Sequence, residues 1–222
     1  MKTKIETKKI AISAMLTAVA FLVTFCTAMF KVGGFLSLDL KDAVLSMIAL
    51  MYGPVYGFIS VLVVALVEFI TISSTGLYGL VMNILSSGTF VLVCGLVYKY
   101  KRSFFGAIVA AVLTVVAVTA VMLTANIFIT PLYFQMPRQA VIDMLPTLLL
   151  PFNLFKSIMN ASIMLLVYKP FTSALKKTGF IRTGDNAAYK LNAKTVILAV
   201  VAFLLLAVAV VVMISLGVEI KK

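Results

Sequence analysis

AVLSMIALMYGPVYGFISVLVVALVEFITI, residues 43–72, is almost wholly apolar and exceeds the roughly 20 residues that a helix needs to cross a hydrocarbon layer. It is too long for one straight span. A break is available at Tyr52-Gly53-Pro54-Val55-Tyr56-Gly57, where proline removes a backbone donor and both glycines loosen the helix. The expected outcome is a short helix from about Lys41 to Met51 and a full one from about Pro54 to Ile70. A single tilted helix kinked at Pro54 is the competing reading of the same residues.

Similar runs lie on either side, at Ile10–Phe30, Leu77–Tyr98, Phe104–Ile129, Leu148–Tyr168 and Thr195–Leu216. Residues 196–212 are apolar without alternation, which excludes the period-two pattern of a transmembrane barrel. With 63% hydrophobic and 12% charged residues, against about 25% charged in an average soluble domain, the chain reads as an all-α, polytopic membrane helix bundle.

Charge sets the orientation. The formal net charge of +12 would suggest nucleic acid in a soluble protein, but here Lys and Arg gather in short segments beside apolar runs. One gap holds Lys99, Lys101 and Arg102. Another holds Lys169, Lys176, Lys177, Arg182, Lys190 and Lys194. Both, together with the Lys-rich N-terminus, belong on the cytoplasmic side of the cell membrane. That parity requires two helices within residues 43–72 and a cytoplasmic turn at Tyr52–Gly57. Lys31 and Lys41 then lie outside, as exceptions to the bias, and Lys221 with Lys222 join them if the last run spans.

The resulting organisation is a six-helix domain over residues 1–175, a basic cytoplasmic linker over 176–194 and one additional C-terminal transmembrane helix within 195–222. The N-terminal run is too long for the roughly 7–15 residues of a signal h-region, so it is expected to stay as the first helix. Cys26 is accordingly not read as a lipoprotein cleavage site.

Several chemistries are excluded or disfavoured. The absence of histidine removes His-based triads, His–metal sites and histidine proton relays. Among the seven acidic residues only Asp39 and Asp42 are close in sequence, poor material for a carboxylate metal cage or an acid–base pair. Cys26 and Cys94 both fall inside apolar runs without metal or disulfide spacing. No metal, no cofactor and no enzymatic activity are expected.

Polar groups inside so apolar a chain are costly, so their placement is informative. They concentrate on the outer side, in residues 33–42, in residues 73–79 and from Asn126 through Pro151, with Asn83, Asn153, Lys156 and Asn160 on helices near that face. Asn153, Lys156 and Asn160 have i, i+3, i+7 spacing and share one helix stripe. That stripe is either a ligand site of amides and one cation, or interhelical hydrogen bonding with a lysine snorkelling to the interface. Glu68, alone near a helix end, reads as structural or interfacial. Ala11, Ala14 and Ala18 form a small-residue stripe on the first helix, suited to close approach by a partner helix or by another helix of the same bundle. Phe35, Tyr78 and Tyr133 stand out among the aromatic residues because they lie in the polar loops.

Taken in order, Phe35-Leu36-Ser37-Leu38-Asp39-Leu40-Lys41-Asp42, Tyr52-Gly53-Pro54, Ser74-Thr75-Gly76, Asn126 with Thr130-Pro131-Leu132-Tyr133, Met136-Pro137 and Pro151-Phe152-Asn153-Leu154-Phe155-Lys156 resemble the riboflavin-specific S component of energy-coupling factor (ECF) transporters. The resemblance covers about residues 10–174. It implies a six-helix S-component fold that captures riboflavin from outside and docks on a transmembrane coupling protein carrying two cytoplasmic ATPases. It further implies that Leu38, Asp39, Asn126, Asn153 and Lys156 bind the vitamin, with Asn83 and Asn160 as additional candidates, and that Ala14 and Ala18 dock the coupling protein. The helix after Lys194 departs from the six-helix pattern. The chain has no Walker sequence, so ATP hydrolysis would belong to partners.

The flat ring, amide-like edges and hydroxyl-rich chain of riboflavin suit an apolar slot with a few amides and a lysine. A phosphorylated flavin would need more positive charge than Lys156 supplies, with Lys41 or Arg138 as possible sources. The alternatives are an S component for another vitamin or small solute, and a membrane-embedded enzyme, for which the sequence offers no convincing nucleophile–base pair.

Overall fold

In a computed structural model that describes residues 2–27, 30–32, 36–100, 102–177 and 218–220, the 43–72 run breaks at Gly53. Its φ of 103° is open to glycine and strained for other residues. Helix α2 (Lys41–Tyr52) ends there, and α3 (Pro54–Thr71) begins with Pro54 in its first turn, where a missing N–H breaks no helical bond. The run is therefore two helices rather than one kinked span. They approach closely at Gly57, where an added Cβ would stand 2.5 Å from Val91 Cγ1 and 2.8 Å from Ala49 Cβ.

The other helices are α1 (Lys2–Thr27), α4 (Gly76–Tyr100), α5 (Phe104–Phe134), α6 (Arg138–Met144) and α7 (Leu150–Lys177), with a π-helical turn over Leu145–Leu149 joining the last two. Taken as one segment, α6 through α7 brings the bundle to six helical segments. Five are long and apolar enough to cross a membrane among the described residues, whereas α2 has only 12 residues. Helix α2 is instead enclosed. From Lys41 to Leu50 all but Val44 are buried. On one side Ala43, Met47 and Leu50 pack against Phe90, Cys94, Ala110 and Met164; on the other Leu45 and Ile48 meet Ile12, Leu16, Val61 and Val64. In lipid such contacts stabilise mainly through close packing rather than water exclusion.

The two ends of the bundle differ. At one, the Tyr52–Tyr56 turn shares a cavity wall with Tyr98, Lys99 and Arg102, so the turn and the first basic gap lie together. At the other, strands β1 (Phe30–Val32) and β2 (Leu36–Ser37) form an antiparallel hairpin, and β3 (Val218–Ile220) adds antiparallel to β1 with Phe30 opposite Ile220.

The outer segment from Asn126 to Pro151 is not the loop that its polar residues suggest. Helix α5 continues through Pro131 to Phe134 and stops where Gln135 adopts φ 52° and donates its N–H to the Pro131 carbonyl. One missing proline donor is tolerated in a membrane helix when nearby groups compensate. Helix α6 then leads through the π turn into α7, a widened turn that lets the helix pass Pro151. The linker expected over 176–194 lies outside the described residues except for its first two, which extend α7, and the additional helix expected within 195–216 lies wholly outside them.

Candidate binding site

The β-hairpin end holds a cavity of about 200 Å³, bounded by the Leu36–Asp39 segment, the Ile72–Thr75 connection and the adjacent ends of α3, α4, α5 and α7. Asp39, Asn83, Asn126, Asn153 and Lys156 line it. Apolar and aromatic walls come from Phe69, Ile72, Tyr78, Tyr133, Phe134 and Phe152, with Tyr78 and Tyr133 edge to face at a centroid separation of 6.0 Å. Of the aromatic loop residues singled out in the sequence, Tyr78 and Tyr133 thus reach the cavity, and Phe35 lies outside the described residues.

The α7 stripe divides between cavity and scaffold. Asn153 donates Nδ2–H to the Leu149 carbonyl at 2.7 Å, one turn back, which leaves its second amide hydrogen and its oxygen for a ligand. Lys156 donates Nζ–H to Asp39 Oδ2 at 2.9 Å. Asn160 is fully buried and does not line the cavity. Its Nδ2 donates to the Asp39 carbonyl at 2.9 Å and to the Lys156 carbonyl at 3.1 Å, while its Oδ1 accepts from the Ala43 N–H at 2.9 Å. That N–H belongs to the first turn of α2, where no intrahelical partner exists. Asn160 therefore holds the Asp39 segment and the start of α2 against α7. Leu38 also lies off the cavity, packed on Phe152, Phe155 and Met159, where it anchors the same segment from its apolar side.

Asp39 lies between two cations, with Lys41 Nζ 3.7 Å and Lys156 Nζ 2.9 Å from Oδ2. Burial pushes its carboxyl up, but Lys156 and then Lys41 outweigh that effect and hold it below its ordinary value. Its Oδ1 is buried without a hydrogen-bond partner. Asn126, buried in α5, donates to the Met122 carbonyl at 2.7 Å and accepts from Thr130 Oγ1 at 2.8 Å, so its amide orientation is set from both ends.

A second ionic group lies behind the cavity wall and was only half legible in the sequence. Lys41, 1% exposed, donates to Glu68 Oε1 at 2.8 Å, to Glu68 Oε2 at 2.7 Å and to Asn83 Oδ1 at 2.6 Å. Asn83 Nδ2 donates in turn to Glu68 Oε2. Glu68 itself lines the cavity as well as pairing with Lys41, so the structural role expected of it is joined by a place in the candidate site. The available signal was a pair of exceptions: a lysine on the side where basic residues are disfavoured, and a lone acid on an apolar helix that needs a cation.

On α1, Ile12, Leu16 and Ala20 face the bundle, whereas Ala11, Ala14 and Ala18 are exposed on the opposite side. Among the described residues, the small-residue stripe is not packed against another helix of the bundle.

Compared with known proteins, residues 8–169 match the family described as ECF transporter, substrate-specific component. Riboflavin transporter RibU of Staphylococcus aureus (strain TCH60) is 28% identical over 179 residues, covering 78% of this chain and 94% of that relative. A solved structure described as "Structure and mechanism of the S component of a bacterial ECF transporter" shares the fold with a TM-score of 0.64 and 28% identity, covering 77% of this chain and 99% of that one.

Proposed function

Because the chain belongs to the family of substrate-specific components of ECF transporters, we propose that its cavity captures riboflavin from outside the cell. The protein is a multi-pass membrane component of a transporter and not an enzyme. The observation that carries the choice of ligand is the composition of the cavity. An apolar, aromatic-walled slot presents Asn126, Asn153, Asp39 and Lys156 from three different elements. A planar ring with amide-like edges fits between apolar walls, and its polar edge and ribityl hydroxyls can pair with the spare amide groups and with the Asp39–Lys156 pair. The similarity to a riboflavin transporter supports the same ligand.

Uptake then needs a partner that supplies energy. The exposed Ala14 and Ala18 leave a shallow strip along α1 against which a helix of a transmembrane coupling protein can pack, with two cytoplasmic ATPases bound to that protein. The basic end of the bundle, with Lys99 and Arg102, is the cytoplasmic end on this reading, and the cavity faces outward.

The deciding experiment is an absorption spectrum of the protein purified from riboflavin-containing medium. The flavin bands and yellow colour are expected to co-purify. A colourless protein that also fails to quench added riboflavin fluorescence would assign the cavity to another vitamin or small solute.

A further inference from the structure

We infer that the cavity at the basic end of the bundle holds the headgroup of an anionic phospholipid of the cytoplasmic leaflet, bound by Lys99, Arg102 and the Tyr52 hydroxyl. This is a second site, about 280 Å³ in volume, formed by the turn between α2 and α3 and the end of α4. The inference does not depend on which ligand the outer cavity takes.

Two independent observations point to an anion. Lys99 and Arg102 line the cavity, and no carboxylate does so among the described residues. Both side chains are exposed, and neither belongs to an ion pair among the described residues, whereas Lys41 and Lys156 at the outer end are each held against an acid. Their charge is therefore open to a ligand. The second observation is an unsatisfied donor. Tyr52 lines the same cavity, and its hydroxyl oxygen is buried without a hydrogen-bond partner, whereas the Tyr98 hydroxyl beside it is paired with that of Tyr168. A buried hydroxyl left unpaired is costly, and a phosphate oxygen between the two cations would accept its hydrogen.

The surroundings select a lipid over a free phosphate. Apart from the cations and tyrosines the wall is apolar, with Ala49, Leu50 and Pro54 contributing to it. It is also fixed in place, since α4 presses on the turn at Gly95, where an added Cβ would stand 3.0 Å from Ala49 Cβ and 3.1 Å from Pro54 Cα. From the rim an exposed apolar stripe runs along α3 through Val55, Ile59 and Val63, at i, i+4, i+8 spacing. Because α3 begins at this end, the stripe leads from the cavity into the hydrocarbon layer. A phospholipid uses both features, its phosphate among Lys99, Arg102 and Tyr52 and its acyl chains along the stripe; a soluble phosphate uses only the first. Anionic lipids are attracted to basic segments on the cytoplasmic side, and basic pockets between helices there bind their headgroups.

The test incubates the full-length protein in detergent with phosphatidylglycerol or phosphatidylcholine of matched acyl chains and reads bound lipid by native mass spectrometry. Phosphatidylglycerol should be retained at least about fivefold more strongly, the equivalent of about 1 kcal/mol for a basic residue near an anionic surface. Lys99→Gln with Arg102→Gln should abolish that preference, and Tyr52→Phe should weaken phosphatidylglycerol retention; a cooperative melt without lipid shows that the variants are folded. Equal retention of the two lipids by the wild type overturns the proposal, whatever the variants do. A preference that persists in the folded double variant also overturns it, since the lipid would then sit elsewhere on the basic surface. Unchanged retention in Tyr52→Phe overturns the placement of the headgroup in this cavity. If inorganic phosphate displaces phosphatidylglycerol and raises the melting temperature as much, the site belongs to a soluble anion and the lipid assignment falls.

Discussion

Asn153 and Asn160 lie on one stripe of one helix, yet replacing each with alanine should have opposite signatures. Asn160→Ala deletes an amide that pairs the Asp39 carbonyl and the Ala43 N–H, both at 2.9 Å and both in the interior. Each orphaned backbone group costs roughly 1–3 kcal/mol, so the loss should be on the order of 2–6 kcal/mol before any relaxation. It falls on the contact that keeps the Asp39 segment against α7, so melting temperature should drop by several degrees and ligand affinity should fall with it. Asn153→Ala removes only a bond to its own helix, at Leu149. The Leu149 carbonyl already has the helical ladder, so stability without ligand should change little. Affinity should fall by roughly 1–3 kcal/mol, because the ligand group left opposite is buried and unpaired. Thermal melting in detergent with and without riboflavin, alongside fluorescence quenching, measures both quantities. A ligand-free melting temperature lowered equally by the two variants, or unaltered affinity in Asn153→Ala, would refute the division of the stripe into scaffold and site.

Three further outcomes are expected. Lys156→Met should be more damaging than Asn153→Ala, lowering both stability and affinity, since removing one partner of a buried pair costs about 3–5 kcal/mol and leaves Asp39 with Lys41 alone at 3.7 Å; melting of the ligand-free protein reads this directly. Replacing Ala14 and Ala18 together with leucine or arginine adds bulk on an exposed face remote from the cavity. Riboflavin binding should survive while uptake and co-purification with the coupling protein and ATPases are lost, and equal loss of binding and uptake would count against a docking role. A cysteine at Val55, exposed on the turn beside Lys99 and Arg102, should resist an impermeant thiol reagent applied to intact cells and react after permeabilisation. Reaction from outside would reverse the topology.

The six helical segments over residues 2–177 and the break at Gly53 were readable along the chain, because each depends on local properties. Span length comes from consecutive apolar residues and the break from a Gly-Pro pair, as the expected orientation comes from which gaps hold Lys and Arg. The spacing of Asn153, Lys156 and Asn160 likewise put them on one stripe, since helical periodicity is a local rule. What that stripe does could not be read locally. Asn160 became scaffold because the Asp39 carbonyl and the Ala43 N–H, distant in sequence, arrive beside it without other partners. Glu68 moved into the candidate site because Lys41, on a different helix, carries a charge that has no low-energy place in a bundle interior except against a carboxylate. The polar run after Asn126 suggested a loop, but α5 continues past its proline and stops only at the αL residue Gln135. Ala14 and Ala18 had suitable size and spacing for either side of α1, and only the packing of Ile12, Leu16 and Ala20 against the bundle determined which side they face. Residue type and period establish which groups can share a surface; the partner that each finds depends on satisfying buried charges and donors across helices, and that is decided only when the helices meet.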